Sequence, residues 1–195
     1  MSLSQYLLKI AHSKKIKKTA EDRLLLFLSN FSCSKNQDVQ NFLTTTDKCI
    51  SFEKKNRSRT YLILNETNEI LGYFSLALKT LFAQKQSLTS SIRRKINPGK
   101  SISSISTDTD YYNVYLIGQI GRNDSFTSQD LSLPDILSEI FSILTEVQTR
   151  IGGSSILIEV DNNERLINLY QEHGFVYLDT DQESLSQLLI LFDSI

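Results

Sequence analysis

Few residues of this chain have the types and spacing that common catalytic motifs require. The two histidines, His12 and His173, lie far apart in the sequence, and each is expected to be a surface or helix-end residue rather than a general base. The two cysteines, Cys33 and Cys49, have no partners at zinc-ligand spacing, so no metal site is predicted. The chain has no nucleophile elbow, zinc-protease motif, Walker loop or dinucleotide-binding glycine motif. Hydrolytic and metal-dependent chemistry is therefore disfavoured.

One group of residues near the C-terminus stands out by its spacing, in the stretch IEVDNNERLINLYQEHGFVYL. A strand-like run ends at Val160, Asn163 follows, and Tyr170 comes before the pair Gly174 and Phe175. Asn163 can be the N-cap of the next helix, and Tyr170 can be a half-buried helix residue. Gly174 can be the helix stop and Phe175 a core residue. The spacing of the whole group is more informative than any one member.

A second candidate is the turn SQDLSLPDIL, residues 128–137, between a strand-like run and a long helical pattern. Such turns often hold a phosphate on main-chain N–H groups and then carry glycines, whereas this turn has none. Ser132 and Asp135 have the spacing of a capping box, and Pro134 falls in the first helical turn. Pro134 lacks an N–H donor, and Asp130 and Asp135 oppose an anion. The stretch predicts a good helix start and a poor phosphate site.

Hydrophobic periodicity indicates the elements that position these residues. Spacings of three and four predict helices in the first 50 residues, through two sets of apolar residues: Tyr6, Leu7 and Ile10, then Leu24, Leu25, Leu28 and Phe31. Two β-rich runs around Asn65–Asn68 predict a hairpin. Residues 83–110 are polar and serine-rich, and we expect either a mobile loop or a loop with a short helix.

Strands and helices alternate in the last third of the chain. YNVYLIGQI predicts a strand, LPDILSEIFSILTEVQTRI a helix ended by Gly152 and Gly153, and SSILIEV a second strand. ERLINLYQEH predicts a helix, FVYL a strand, and LSQLLILF a further strand. A long helix between two apolar strands fits a right-handed βαβ unit, so an α+β (α/β) fold is predicted.

The bulk composition is that of one soluble domain, with 195 residues, 40% hydrophobic residues and a net charge of −1. The absence of a long apolar run argues against a membrane partner, and the N-terminus does not resemble a secretory signal, so a cytoplasmic location is expected. The basic runs KKIKK at 14–18 and RRKINPGK at 93–100 are either solvated charge or contacts to a polyanion.

The group Asn163, Tyr170, Gly174 and Phe175 resembles the C-terminal motif of the GNAT acetyltransferase superfamily. VYLIGQIGRND is similar to the superfamily's central strand, and the turn and helix 131–151 are similar to its acetyl-CoA pyrophosphate turn and helix. The resemblance covers residues 59–180 in order. It implies a mixed, mostly antiparallel twisted sheet with a splayed central parallel strand pair and flanking helices.

The resemblance also implies one GNAT-like domain over residues 1–195. Its parts are a helical N-terminal part, a hairpin, a variable loop, an acetyl-CoA-binding core and a C-terminal strand region, at residues 1–58, 59–82, 83–110, 111–180 and 181–195. The acceptor pocket is expected in the N-terminal helices and the variable loop, which is why the sequence does not identify the acceptor.

In this superfamily the pantetheine arm of coenzyme A pairs with the central strand like an added strand. The resemblance therefore assigns main-chain pairing to Ile120, Gly121 and Arg122. Gly118 and Gly121 either allow this close approach, or mark a β-bulge or a poorly packed strand position.

The resemblance assigns four further roles. Gln129 and Ser132 correspond to the pyrophosphate turn, and Asn163 would hydrogen-bond the coenzyme. Tyr170 would be the general acid that reprotonates the coenzyme A thiolate. Glu159, on the strand that precedes Asn163, is the candidate general base, acting directly or through water; otherwise it is a solvent-facing strand residue and the amine arrives neutral.

The N-terminal half is similar to a subgroup of the superfamily that includes toxins of toxin–antitoxin pairs, which acetylate charged tRNA. Six residues match that subgroup: Phe31, Cys33, Arg59, Thr60, Gly72 and Tyr73. Ser34 replaces a glycine and Gln119 stands where the toxins carry an arginine. The run IGQIGRND, with IGG after the next helix, is closer to bacterial and prophage-type acetyltransferases.

The leading hypothesis is an acetyl-CoA-dependent N-acetyltransferase that acts on the amine of a small molecule or a protein. One alternative is a degenerate GNAT-fold binding protein. Another is a toxin that acetylates aminoacyl-tRNA, for which the two basic runs would contact phosphates. The net charge of −1 argues against nucleic acid as a partner, although tRNA stays open as a substrate. The oligomeric state is open, and a dimer is one alternative.

Overall fold

The structure is a computed structural model that describes residues 14–84, 89–96, 109–180 and 185–195. In these ranges the chain forms, in order, the following elements: α1 (Lys14–Leu28), α2 (Gln37–Thr44), α3 (Cys49–Lys54), β1 (Arg59–Leu64), β2 (Ile70–Gln84), α4 (Ser90–Ile96), β3 (Thr109–Arg122), α5 (Leu133–Ile151), β4 (Ser155–Asp161), α6 (Glu164–Glu172), β5 (Val176–Thr180), β6 (Leu185–Leu191) and a 3-10 turn (Phe192–Ser194).

The strands form one mixed sheet in the order β1-β2-β3-β4-β6-β5. β1 pairs antiparallel with β2, and β6 pairs antiparallel with both β4 and β5. β3 and β4 pair in parallel, with Tyr115 opposite Ile156 and Ile117 opposite Ile158. A parallel pair needs a crossover, and α5 provides it. The predicted βαβ unit and the predicted α+β fold with a mixed sheet are confirmed.

The turn signals of the sequence fall at the element ends. Asn68 has a φ of 62° in the β1–β2 turn, where Asn tolerates this conformation better than most residues. Gly152 and Gly153 end α5 with φ of 78° and 114°. A Cβ at Gly153 would lie 2.5 Å from Cε2 of Tyr115, whose hydroxyl donates a hydrogen bond to the Gly152 carbonyl. The glycine pair therefore both ends the helix and accommodates the Tyr115 ring.

By internal contacts the chain divides into two compact units. The first unit comprises the described residues up to Ala77 together with Gly118–Ser138, and the second comprises those of Leu78–Ile117 and Glu139–Ile195. The strands β2 and β3 and the helix α5 contribute residues to both units. The prediction of one domain over residues 1–195 stays a prediction.

The core of the first unit lies between α1, α2, α3 and the first two strands. Its buried residues are Leu24, Leu28, Phe31, Phe42, Leu43, Cys49, Ile50, Leu62, Ile70 and Tyr73. The Tyr73 ring packs edge-on against Phe31, and its hydroxyl donates a 2.6 Å hydrogen bond to the Val39 carbonyl. Burial raises the pKa of the Cys49 thiol to about 12, so this cysteine is an apolar core residue rather than a nucleophile.

A core cluster of the second unit contains residues of α4 and of strands β2 to β6. Its buried residues are Leu81, Ile96, Tyr112, Val114, Leu157, Leu178 and Leu189. The α5 residues Ile140 and Leu144 are also buried, at the spacing of a helix with one apolar face.

Some predictions fall outside the described residues. Tyr6, Leu7, Ile10 and His12 lie there, as does most of the segment 83–110. The helix α4 within that segment confirms the short helix that was one of the two expectations for it. No helix in the described ranges is long and apolar enough to cross a membrane.

Candidate functional site

We infer a β-bulge at the end of β3 from two of its contacts with β2. Gly118 faces Ser75, because a Cβ at Gly118 would lie 3.0 Å from the Ser75 hydroxyl oxygen. Further along, the Asn123 N–H donates to the Leu71 carbonyl at 2.8 Å. Residues 72–74 of β2, three in number, therefore face residues 119–122 of β3, four in number. One extra residue in an antiparallel pair is a bulge, and it leaves main-chain groups outside the regular ladder.

Gly121 lies in this bulge and is tightly packed. A Cβ at this position would lie 2.5 Å from Cγ1 of Val39, 3.0 Å from Cζ of Phe31 and 3.1 Å from Cε1 of Tyr73. The absence of a side chain is thus explained by the core of the first unit. Among the sequence interpretations of Gly118 and Gly121, the contacts with β2 support the bulge, and the contacts of Gly121 argue against a poorly packed position there. Close approach of a ligand stays a prediction.

Gln119 is also part of the bulged segment. Its side-chain oxygen is buried, and it has no hydrogen-bond partner within the described part of the chain. A buried oxygen without a partner is costly, although the residue as a whole is half-buried. This is the residue that replaces the arginine of the toxin subgroup.

Asn123 fixes the end of β3, and the sequence analysis did not single it out. It is 3% exposed, and its Nδ2 donates to the carbonyls of Ile70 at 2.9 Å and Asn30 at 3.1 Å. Its Oδ1 accepts from the N–H and hydroxyl of Ser32 at 3.3 and 3.1 Å. The side chain therefore ties β3 to β2 and to the segment after α1. An asparagine directly after a strand, in IGRND, was the available signal.

The turn that follows β3 is closed by its own carboxylates. Asp130 Oδ2 accepts from the Thr127 N–H at 2.7 Å and from its hydroxyl at 2.8 Å. Asp135 Oδ2 accepts from the Ser132 N–H at 2.8 Å and also from the Ser132 hydroxyl. The second arrangement confirms the predicted capping box at the start of α5. Gln129, the other predicted residue of the turn, is exposed, and its N–H donates to the Thr127 hydroxyl.

These hydrogen bonds also affect the charge of the turn. The main-chain N–H of Thr127 lowers the pKa of Asp130, and the hydroxyl of Ser132 lowers the pKa of Asp135. Arg122, a predicted pairing residue, is half-buried, and its Nη1 donates to the Leu131 carbonyl at 3.2 Å. Ile120, the other neighbour of Gly121, is half-buried as well.

The second unit holds the residues of the C-terminal motif. Asn163 caps α6, with its Oδ1 accepting from the Arg165 N–H at 2.9 Å, which confirms the capping interpretation. Its predicted bond to a coenzyme stays a prediction. Tyr170 is 7% exposed and packs edge-on against Phe175, with 5.7 Å between the ring centroids. Burial raises the pKa of the Tyr170 phenol to about 12.

Glu159, the candidate base, is held in an ion pair. The Lys79 ammonium lies 2.6 Å from each carboxylate oxygen, and the Gln187 amide donates to Oε1 at 2.8 Å. The Glu159 side chain is 11% exposed and that of Lys79 is 35% exposed, so the pair is partly shielded from water. Sequence analysis missed both partners, although a lone lysine in the run YFSLALKTLF was a signal.

The structure brings some predicted residues together. In the first unit, Arg122 contacts Leu131, and a Cβ at Gly72 would lie 2.6 Å from Cδ2 of Leu131 and 2.7 Å from the Gly121 carbonyl. The bulge and the turn are therefore one packed assembly. In the second unit, the hydrogen bonds of Glu159 go to Lys79 and Gln187, and neither Asn163 nor Tyr170 is among its partners. No group of three or more metal-ligating side chains occurs in the described ranges.

Comparison with models of known protein families found no match, and comparison with curated proteins found none either. Solved structures do match, and the class that they define is the GNAT acetyltransferase fold. The resemblance drawn from the sequence motifs is thus confirmed at the level of the fold.

The matched structures include the toxin AtaT and the protein KacT. AtaT complexed with acetyl-methionyl-tRNAfMet has a TM-score of 0.65 and 18% identity, over 86% of this chain and 88% of that chain. A tyrosine mutant of KacT has the same TM-score, identity and coverage. A mutant AtaT toxin bound to the C-terminus of the antitoxin AtaR and acetyl-CoA has a TM-score of 0.61 and 16% identity, over 86% of each chain. At these identities the likeness establishes the fold alone.

Proposed function

We propose that the protein is an acetyl-CoA-dependent N-acetyltransferase. The observation that carries this proposal is the bulge at the end of β3, where four residues face three of β2. A bulge frees main-chain N–H and C=O groups, and an extended ligand with amide groups, such as a pantetheine arm, can pair with them as a strand does. Ile120, Gly121 and Arg122 are the pairing residues in this proposal.

The anchoring of the bulge supports this role. Asn123 fixes one end of the bulge through its bonds to Ile70, Asn30 and Ser32, and the core fixes Gly121. A main-chain site of this kind is held before a ligand arrives, so little ordering cost falls on binding. Acetyl-CoA supplies an activated thioester when bound.

Tyr170 is the proposed proton donor. The nitrogen of a neutral amine forms the new bond to the acetyl carbon, the carbon–sulfur bond breaks, and the Tyr170 hydroxyl gives its proton to the departing thiolate. A phenol with a pKa of about 12 gives a proton to a thiolate of ordinary pKa, about 8.5, only uphill. Burial raises the pKa of a thiol in the same way, so a shielded site brings the two groups closer in proton affinity.

The proton that the amine loses needs an acceptor. Glu159 takes that role if its pair with Lys79 opens, because both carboxylate oxygens accept hydrogen bonds from the ammonium in the structure. With the pair closed, the amine arrives neutral and water takes the proton after attack. Asn163 is proposed to contact the coenzyme through the part of its amide that the helix cap does not use.

Calorimetric titration with acetyl-CoA tests the proposal, and the expected result is a saturable heat. Tyr170→Phe is the matched variant, since it should bind acetyl-CoA like the natural protein but release free thiol from acetyl-CoA much more slowly in the presence of a panel of amines. No binding at millimolar acetyl-CoA would refute the enzyme and favour the second proposal, a GNAT-fold binding protein.

A third candidate is acetylation of aminoacyl-tRNA, and one observation favours it. The similar structure of AtaT was solved with acetyl-methionyl-tRNAfMet, and this chain matches it over 86% of its length. Gln119 argues in the other direction, because it stands where the toxin subgroup carries an arginine. Expression in bacteria tests this candidate: a toxin should arrest growth, and Tyr170→Phe should relieve the arrest. Unimpaired growth would count against it.

A further inference from the structure

Two main-chain donors, one at the start of α5 and one in the turn before it, are occupied by carboxylates of the chain itself. The Ser132 N–H donates to Asp135 at 2.8 Å, and the Thr127 N–H donates to Asp130 at 2.7 Å. Free N–H groups at a helix N-terminus are what a bound phosphate uses. Here the Asp135 carboxylate takes the Ser132 N–H at the helix start, and the Asp130 carboxylate takes the Thr127 N–H in the turn before it.

The turn has few other donors to offer. Pro134, in the first helical turn, has no N–H. The Arg122 guanidinium uses one of its five N–H donors for the Leu131 carbonyl, at 3.2 Å, and its charge also acts on Asp124 and Asp130. A phosphate that bound the N–H of Ser132 or Thr127 would have to displace a carboxylate from that N–H. The displaced negative charge would remain beside the phosphate.

The charges around the turn also oppose the binding of a phosphate. Three carboxylates, Asp124, Asp130 and Asp135, lie at or beside it, and the cations that affect them are Arg122 and Lys35. Asp124 itself accepts from the Ser34 N–H at 2.6 Å. The local charge is therefore negative, and it opposes the phosphates of coenzyme A. The bulge at Gly121, in contrast, offers neutral main-chain groups.

We propose that Asp130 and Asp135 are specificity-determining residues that direct acyl-donor recognition to the acyl-pantetheine arm. The phosphorylated nucleotide of coenzyme A then contributes little to affinity. This inference rests on the proposed use of acetyl-CoA, and it concerns which part of that donor the protein holds. The physical basis is that the arm pairs with main-chain groups of the bulge, whereas the phosphates meet two main-chain donors, those of Ser132 and Thr127, that already bond to carboxylates.

Calorimetric titration of the natural protein with two ligands tests the proposal. The ligands are acetyl-CoA and S-acetylpantetheine, which lacks the phosphates and the nucleotide. We expect the two dissociation constants to differ by less than about tenfold, because two charge-assisted donors made to a diphosphate would give a far larger ratio.

Two variants change the turn itself. Asp135→Ala frees the Ser132 N–H, and we expect it to tighten acetyl-CoA by about tenfold while leaving S-acetylpantetheine unchanged. Asp135→Asn keeps an acceptor for the helix cap and removes only the charge, so it serves if the alanine variant folds poorly. Glu139→Ala is the matched control: it removes one exposed acidic side chain from the same helix and frees no donor of the turn.

The outcomes separate the two proposals. Binding of both ligands within tenfold, with the ratio rising in Asp135→Ala and not in Glu139→Ala, supports the inference. If both bind but acetyl-CoA binds more than tenfold tighter, or if Glu139→Ala shifts the ratio as much as Asp135→Ala, the inference is wrong and the proposed function survives. If neither ligand binds at millimolar concentration, the proposed function fails, and the inference fails with it.

Discussion

Asn123 offers the sharpest test of how the end of β3 is held. Its side chain makes hydrogen bonds to the carbonyls of Ile70 and Asn30 and to two groups of Ser32, and it is 3% exposed. In Asn123→Ala the buried Ile70 carbonyl loses a partner, at a cost of about 1 to 3 kcal/mol. The remaining bonds contribute about 0.5 to 1.5 kcal/mol each, and the longer ones least. We expect a total loss of about 3 to 4 kcal/mol in the free energy of unfolding.

Urea unfolding followed by far-UV circular dichroism measures this loss. Asn123→Asp should be at least as destabilising, because a carboxylate oxygen would then face the two carbonyls that now accept hydrogen bonds. Asn113→Ala is the matched control on the same strand, since Asn113 is exposed and its Oδ1 accepts a hydrogen bond from the Thr80 hydroxyl at 3.2 Å. It should cost less than about 1 kcal/mol. A loss below about 1 kcal/mol in Asn123→Ala would refute the reasoning.

Three further outcomes are expected. Tyr170 has a pKa of about 12 when folded and about 10 when unfolded, so the natural protein should lose up to about 2.7 kcal/mol of stability between pH 10 and 12. Urea unfolding at pH 9 and at pH 11.5 measures this loss, and the Tyr170→Phe variant should lose less stability between the two pH values than the natural protein. Equal losses of stability in the two proteins would contradict the burial of the phenol. Gly121→Ala places a Cβ 2.5 Å from Val39 and should reduce the free energy of unfolding by about 1 to 3 kcal/mol. Gly118→Ala places a Cβ 3.0 Å from the movable Ser75 hydroxyl and should reduce it by less in the same assay. Ser132→Gly with Pro134→Gly restores flexibility and one N–H donor, and it should tighten acetyl-CoA in calorimetry; unaltered affinity would show that the composition of the turn does not limit binding.

Much of the fold follows from local signals in the sequence. The apolar period of three and four placed α5 in LPDILSEIFSILTEVQTRI, which begins at the observed start Leu133, and Ser132 and Gly152 marked its ends. Asn163 was predicted as a cap because asparagine at that position satisfies an N–H that the helix cannot. These features depend on neighbours in the chain, and for that reason the sequence shows them.

The features that the sequence did not reveal depend on residues far apart in the chain. The hydrogen bonds of Asn123 cross more than 90 positions to Asn30 and Ser32, at separations of 93 and 91. The bulge in β3 was one of three interpretations of Gly118 and Gly121, and contacts with β2 and with Val39 were needed to favour it. No periodicity within one segment specifies such register and packing.

The ion pair of Glu159 shows how such long-range contacts alter a functional argument. From the sequence, Glu159 is an acidic residue at the end of an apolar strand, which suits a base. In the structure, the ammonium of Lys79, a residue 80 positions away in the chain, lies 2.6 Å from the Glu159 carboxylate. The Gln187 amide donates a further hydrogen bond to the same carboxylate. Removing Lys79 would leave a partly buried carboxylate without its partner, and such a change costs far more than the pair contributes. The ion pair between Glu159 and Lys79 is therefore first a structural contact of β4, and a catalytic role for Glu159 is secondary to it. If Glu159 does accept a proton, the cost of separating it from Lys79 becomes part of the barrier to acetyl transfer, whereas an amine that arrives neutral avoids that cost.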